Sequence, residues 1–142
     1  MKYTELKQQR QQKYEDMTTL CGVFFAFSDK QLKEGMKKYP LSKGDKYVSM
    51  GAGGFIKKNQ VEAYFELMKS IDSWFKKEHK NIKKEEAILY ELNNYECFHS
   101  GDTSTAYDVL KEQGITKEEV QEVYRANYQL RNGYKARGGE KI

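Results

Sequence analysis

The chain has 142 residues, a net charge of +4 from 25 lysines and arginines against 21 acids, and a mean hydropathy of −0.92. That length suits one domain, 1–142, because a division would leave each half short of core, and an aromatic content of 13% argues against a disordered chain. The charge excess is small for a dedicated duplex-binding domain, whose affinity comes largely from neutralising phosphates, although nucleic acid stays open as a partner.

Residues 1–18 are rich in Gln, Lys and Glu, with a thin apolar set at Tyr3, Leu6, Tyr14 and Met17. This predicts an exposed N-terminal helix that packs weakly or waits for a partner. The stretch from Met1 to Asp16 has no apolar leader segment. Val23-Phe24-Phe25-Ala26-Phe27 is an apolar run of strand length, and Ser28 is placed to cap a helix that Pro40 ends. Residues 46–50 and 54–57 read as two further strands around the turn Gly51-Ala52-Gly53-Gly54.

Asn59 opens the strongest helical pattern. Val61, Tyr64, Phe65, Met68, Ile71 and Phe75 share one face, so all six are expected in the core. Further helices are expected over 85–97, from the Thr103–Thr105 caps to a left-handed cap at Gly114, and after a Thr116/Glu119 capping box. Residues 133–142 are glycine-rich and basic, which predicts a flexible tail. The fold class is therefore α+β, mostly helical with about five or six helices and a small two- or three-stranded antiparallel sheet from 23–27, 46–50 and 54–57.

No motif carries defensible catalysis. The glycine run lacks the Lys-Ser/Thr pair of a phosphate loop and is followed by Phe55-Ile56, so a tight turn or bulge outweighs an anion nest. Cys97 and His99, with Asp102 nearby, offer too few donors for zinc unless the distant Cys21 and His79 converge, and they are badly spaced for a nucleophile and base. We expect no enzyme activity, cofactor or metal. The two cysteines read as reduced thiols in a cytoplasm. No apolar run nears the ~20 residues that span a bilayer, so no membrane partner is expected. The pattern that stands out is at the C-terminus, where tyrosines interleave with basic residues. Tyr124, Arg125, Tyr128, Arg131, Lys135 and Arg137 are the candidate partner-binding residues, against the alternative of a solvated helix.

Phe24-Phe25-Ala26-Phe27-Ser28, Gln31, Glu34-Gly35, Val48-Ser49, Gly51-Ala52-Gly53-Gly54-Phe55-Ile56 and Tyr90-Glu91-Leu92-Asn93-Asn94-Tyr95-Glu96 together resemble a family of small, functionally uncharacterised proteins carried by phages and mobile elements of Firmicutes. The resemblance spans about residues 22 to 110 and puts Glu91, Asn94 and Glu96 on a polar surface. It implies a setting in the host cytoplasm and no reaction. The expected function is stoichiometric binding to a host or defence-system protein, in its most concrete form inhibition of a CRISPR effector nuclease. The alternative is a nucleic-acid-binding accessory protein that uses the C-terminal helix.

Overall fold

The computed structural model describes residues 1–131, with side chains through Tyr128. The expected tail 133–142, with Lys135 and Arg137, lies outside the described residues, as does the Arg131 side chain. Among the described residues seven α-helices and three short strands follow in the order α1 (Tyr3–Leu20), β1 (Phe24–Phe25), α2 (Asp29–Lys38), β2 (Tyr47–Gly51), β3 (Gly54–Lys57), α3 (Val61–His79), α4 (Lys84–Asn94), α5 (Cys97–Ser100), α6 (Ser104–Leu110) and α7 (Lys117–Arg131). The fold is α+β and mostly helical, with one antiparallel sheet of order β1-β3-β2. The chain packs as two compact units, one of Lys7–Phe75 and the other of Met1–Leu6 with the described residues from Lys76 on.

In the Lys7–Phe75 unit the core is Met17, Cys21, Val23, Ile56 and Ile71, bordered by Tyr14, Val48, Val61, Tyr64, Leu67 and Met68. Two expectations need correction here. Strand β1 is only two residues long, and while Phe24 is buried, Phe25 and Phe27 are 58% and 74% exposed. On α3, Ile71 and Phe75 are buried as expected, but Phe65 is 53% exposed. The buried face is centred on Tyr64, Leu67, Ile71 and Trp74–Phe75, which rotates it away from Phe65. An apolar stripe broader than about 100° contains more residues than one packing face can cover, and periodicity does not say which edge stays outside.

The local signals for α2 and α7 are realised. Ser28 Oγ accepts a hydrogen bond from Gln31 N at 3.2 Å and caps α2. Thr116 Oγ1 accepts from Glu119 N at 3.2 Å while Glu119 Oε1 accepts from Thr116 N at 2.9 Å, a complete capping box. Gly114 takes its left-handed conformation at φ 81°.

In the second unit Ile82, Ala87, Ile88, Leu92, Cys97, Ala106, Leu110, Ile115 and Val120 are buried. Tyr3 and Leu6, at the start of α1, are buried there too, at 2% and 0% exposure, so this end of the helix is firmly packed rather than loosely attached. The Tyr3 hydroxyl donates to Glu91 Oε2 at 2.6 Å, and Asn94 Nδ2 donates to Glu91 Oε1 at 3.2 Å. Glu91 is therefore a buried, hydrogen-bonded group inside the unit and not part of a polar surface. A carboxyl group is taken out of water only where donors replace its hydration.

Candidate functional site

Each phenylalanine of the Phe24–Phe27 segment sits against a glycine. A Cβ on Gly35, in the middle of α2, would lie 2.1 Å from Phe24 Cδ2. The missing side chain lets the Phe24 ring pass under the helix, between Tyr39, Tyr47 and Phe55 at centroid distances of 6.0, 5.6 and 5.7 Å. Gly54 pairs with Phe25, and the Phe25 ring edge lies 3.2 Å from where a Gly54 Cβ would stand. For Gly53 and Phe27 the corresponding distance is 2.4 Å. Aromatic segment, helix glycine and glycine turn therefore form one packing system. The sequence shows them only as separate motifs.

The turn itself is set by backbone sterics. Gly51 and Gly54 are paired, which leaves Ala52-Gly53 as a two-residue loop with φ of 49° and 81°. Positive φ at both central residues defines the type I′ hairpin turn, whose twist matches that of the strands it joins. A register shift between Ser49 and Gly51 adds a bulge. The glycine run thus serves backbone geometry and the seating of rings, as the tight-turn reading expects.

The result is an apolar surface. The place where a Gly54 Cβ would stand is 3.5 Å from Met50 Cβ as well as 3.2 Å from the Phe25 ring, so Met50 and Phe25 lie side by side. Met50 then leads into an open groove of about 470 Å³, walled by Val48, Ser49, Met50 and Ile56 on the sheet and by Val61, Tyr64, Phe65 and Met68 on α3. Phe27, Phe25, Met50 and Phe65 are all at least 39% exposed along this path. Residues 48–56 contain no charged side chain. Isolated exposed apolar residues are ordinary, but a contiguous set beside a groove is the usual mark of an interaction surface.

The C-terminal candidates make a second, smaller surface. Tyr124 is half-buried and stacks on Phe98 at 5.4 Å and 11°, and Tyr128 packs on Tyr124 at 5.5 Å. Burial raises the Tyr124 hydroxyl pKa above its ordinary value, with Tyr128 and Cys97 adding to the effect. Arg125 is exposed, and its Nε donates to the Gln121 carbonyl at 3.3 Å. Of the sequence candidates, then, Tyr124 and Tyr128 are brought together in a ladder seated on α5 and Arg125 lies beside it. Arg131, Lys135 and Arg137 are not among the described side chains.

The sites weighed for chemistry do not assemble. Cys97 is fully buried and His99 exposed; burial pushes the thiol pKa up, so the reactive thiolate is disfavoured. Among the described residues no group of three or more His, Cys, Asp or Glu side chains is gathered as a metal would need. Among them, too, no helix is long and apolar enough to cross a membrane.

The chain belongs to DUF7659. The model of this family, a family of unknown function, matches residues 2–137. No curated protein and no solved structure matches the chain. Both surfaces of this DUF7659 chain lie within the matched span. Sequence reasoning missed the Phe25–Phe65 surface because it assigned Phe65 to the core and read Phe25 only as part of a strand. The signal that was available is an aromatic content of 13% in a chain with a mean hydropathy of −0.92.

Proposed function

We propose that the protein acts by stoichiometric binding to another protein, without chemistry of its own, and that the apolar surface from Phe27 to Phe65 is where it binds. The observation that carries this reading is the exposure of Phe25, Phe27, Met50 and Phe65 around one groove. Aromatic side chains and Met supply large contact area with few rotamers to lose, and a desolvated aromatic centre dominates the energy of most interfaces. The resemblance to mobile-element proteins supports a host or defence-system partner, and inhibition of a CRISPR effector nuclease is the most concrete form of that reading. The test is capture from host lysate, with and without nuclease, by the wild-type chain and by Phe65→Asp. A protein retained by the wild type in both conditions and lost with Phe65→Asp supports the reading. Retention only when nucleic acid is intact overturns it. Addition of the purified chain to a CRISPR effector cleavage reaction at equimolar amounts tests the finer form.

A second reading has its own observation. The Phe98–Tyr124–Tyr128 ladder beside the exposed Arg125 offers stacked rings and a cation, the combination on which single-stranded nucleic acid bases stack. It makes the protein a nucleic-acid-binding accessory factor acting through α7.

A further inference from the structure

The groove lies beside an open sheet edge. In the order β1-β3-β2 no described strand lies outside β2. Lys58 N donates to the Lys46 carbonyl at 2.8 Å, and Tyr47, Val48 and Ser49 face Lys57, Ile56 and Phe55 in turn. In an antiparallel ladder, hydrogen-bonded and non-hydrogen-bonded pairs alternate. Lys46/Lys58 and Val48/Ile56 are then the bonded pairs, and the N–H and C=O groups of Tyr47 and Ser49 point away from the sheet. An unpaired edge of this kind is a template for another strand.

The edge is also polarised. At its Tyr47 end stand the exposed Lys43, Lys46 and Lys58. Asp45, adjacent in sequence to Lys46, accepts from Lys46 N at 2.8 Å and Asn59 N at 3.2 Å, so its Oδ1 is held by the backbone. Toward the Gly51 end residues 48–56 carry no charged side chain, and Met50 beside Phe25 leads into the groove. On the far wall of the groove α3 carries Glu62 and a Glu66 that faces Lys69 at 4.0 Å, so the lysines at the Tyr47 end are the clear electrostatic signal of the site.

We infer that β2 accepts an added antiparallel strand from the partner: an extended segment that is apolar toward its amino end, where alternate side chains enter the groove, and acidic toward its carboxyl end, where it meets the lysines. This rests on the reading of the groove as a protein-binding surface and goes further by fixing the backbone mode, the direction and the charge of the segment. Strand addition takes its affinity from main-chain hydrogen bonds and its specificity from pockets for alternate side chains.

The probe is a pool of synthetic acetylated peptides of about seven residues, the length of an ordinary strand, that alternate Val, Ile or Phe with Thr and end in two acidic residues. A second pool places the same acidic residues at the amino end. Binding to the full chain is followed by fluorescence anisotropy and by amide NMR. We expect the first pool to bind, with protection of the Tyr47 and Ser49 amides from exchange. N-methylation of the peptide amides that face the edge, Lys46→Glu and Phe65→Asp should each weaken it by about tenfold or more, which is about 1.4 kcal/mol. Thermal melts of the two variants check that they remain folded. Equal binding of the two pools, or indifference to N-methylation, overturns strand addition; if Phe65→Asp still reduces binding in that case, the groove reading survives. Binding unaffected by Phe65→Asp overturns both. Failure of every peptide, or binding of an oligothymidylate in their place, overturns the inference, and the lysate capture then judges the groove reading separately.

Discussion

Ala52 occupies a position built for glycine or asparagine. Its φ of 49° brings its Cβ toward the next carbonyl oxygen, a conformation that costs a non-glycine residue about 1–2 kcal/mol. Gly53, beside it, has both a positive φ and a ring against the place where a Cβ would go. The two neighbours should therefore respond in opposite directions. Ala52→Gly should stabilise slightly, because relief of that strain outweighs the cost of glycine's freer unfolded chain, about 0.4–1 kcal/mol. Gly53→Ala should destabilise by more than that and displace Phe27, seen as a lower melting temperature and a changed ring environment in NMR. The turn was legible in the sequence because glycine has few alternatives when φ must be positive. The reason for Gly35 was not. A glycine in mid-helix reads as a defect, costing about 1 kcal/mol against alanine, until Phe24 is seen 2.1 Å from its absent side chain. Glu91 was illegible for a related reason: its donor Tyr3 lies 88 residues away.

Helix α3 shows how far periodicity reaches. Its extent and apolar character follow from the spacing of its large residues, and so does the burial of Ile71 and Phe75. Tyr64 and Met68 border the core of Met17, Cys21, Val23, Ile56 and Ile71, whereas Phe65 is left as the outer wall of a groove. Phe75→Ala should then cost about 3–5 kcal/mol in denaturant unfolding, whereas Phe65→Ala should cost under about 1 kcal/mol, as surface substitutions generally do. Equal losses would place Phe65 in the core after all. Helix α7 supplies an electrostatic prediction. The Thr116 N–H, and after it the Lys84 ammonium at 3.0 Å, hold the Glu119 carboxyl below its ordinary pKa. A carboxyl depressed in the folded state lends stability that is complete above its unfolded pKa and is lost as pH falls through the folded one. Glu119→Gln should remove that pH-dependent part. Its melting temperature should fall less steeply on acidification than the wild type's, while near neutral pH it should be the less stable of the two.

At the scale of the whole molecule the sequence shows the class of the fold and leaves the pairing of distant segments hidden. A polar first helix predicts loose attachment, yet Tyr3 and Leu6 are buried in a unit otherwise built from residues after Phe75. The same limit applies to function. Composition offered Tyr and Arg near the C-terminus as the binding element, and packing gives Tyr124 a structural task against Phe98. Meanwhile it leaves Phe25 and Phe65, which look like core residues, in solvent. The two surfaces differ in the physics of what they would hold. An aromatic and aliphatic centre excludes water and responds weakly to salt, whereas phosphate binding releases counterions and weakens log-linearly as salt rises. With the captured partner purified, Phe25→Ala combined with Phe65→Ala should weaken binding by about 2 kcal/mol or more and leave the melting temperature nearly unchanged. Arg125→Ala combined with Tyr128→Ala should leave binding near wild type, and affinity should fall only modestly across a salt titration, through the few lysine contacts at the sheet edge. A steep salt slope together with the reverse ranking of the two double variants would move the function to α7 and to nucleic acid.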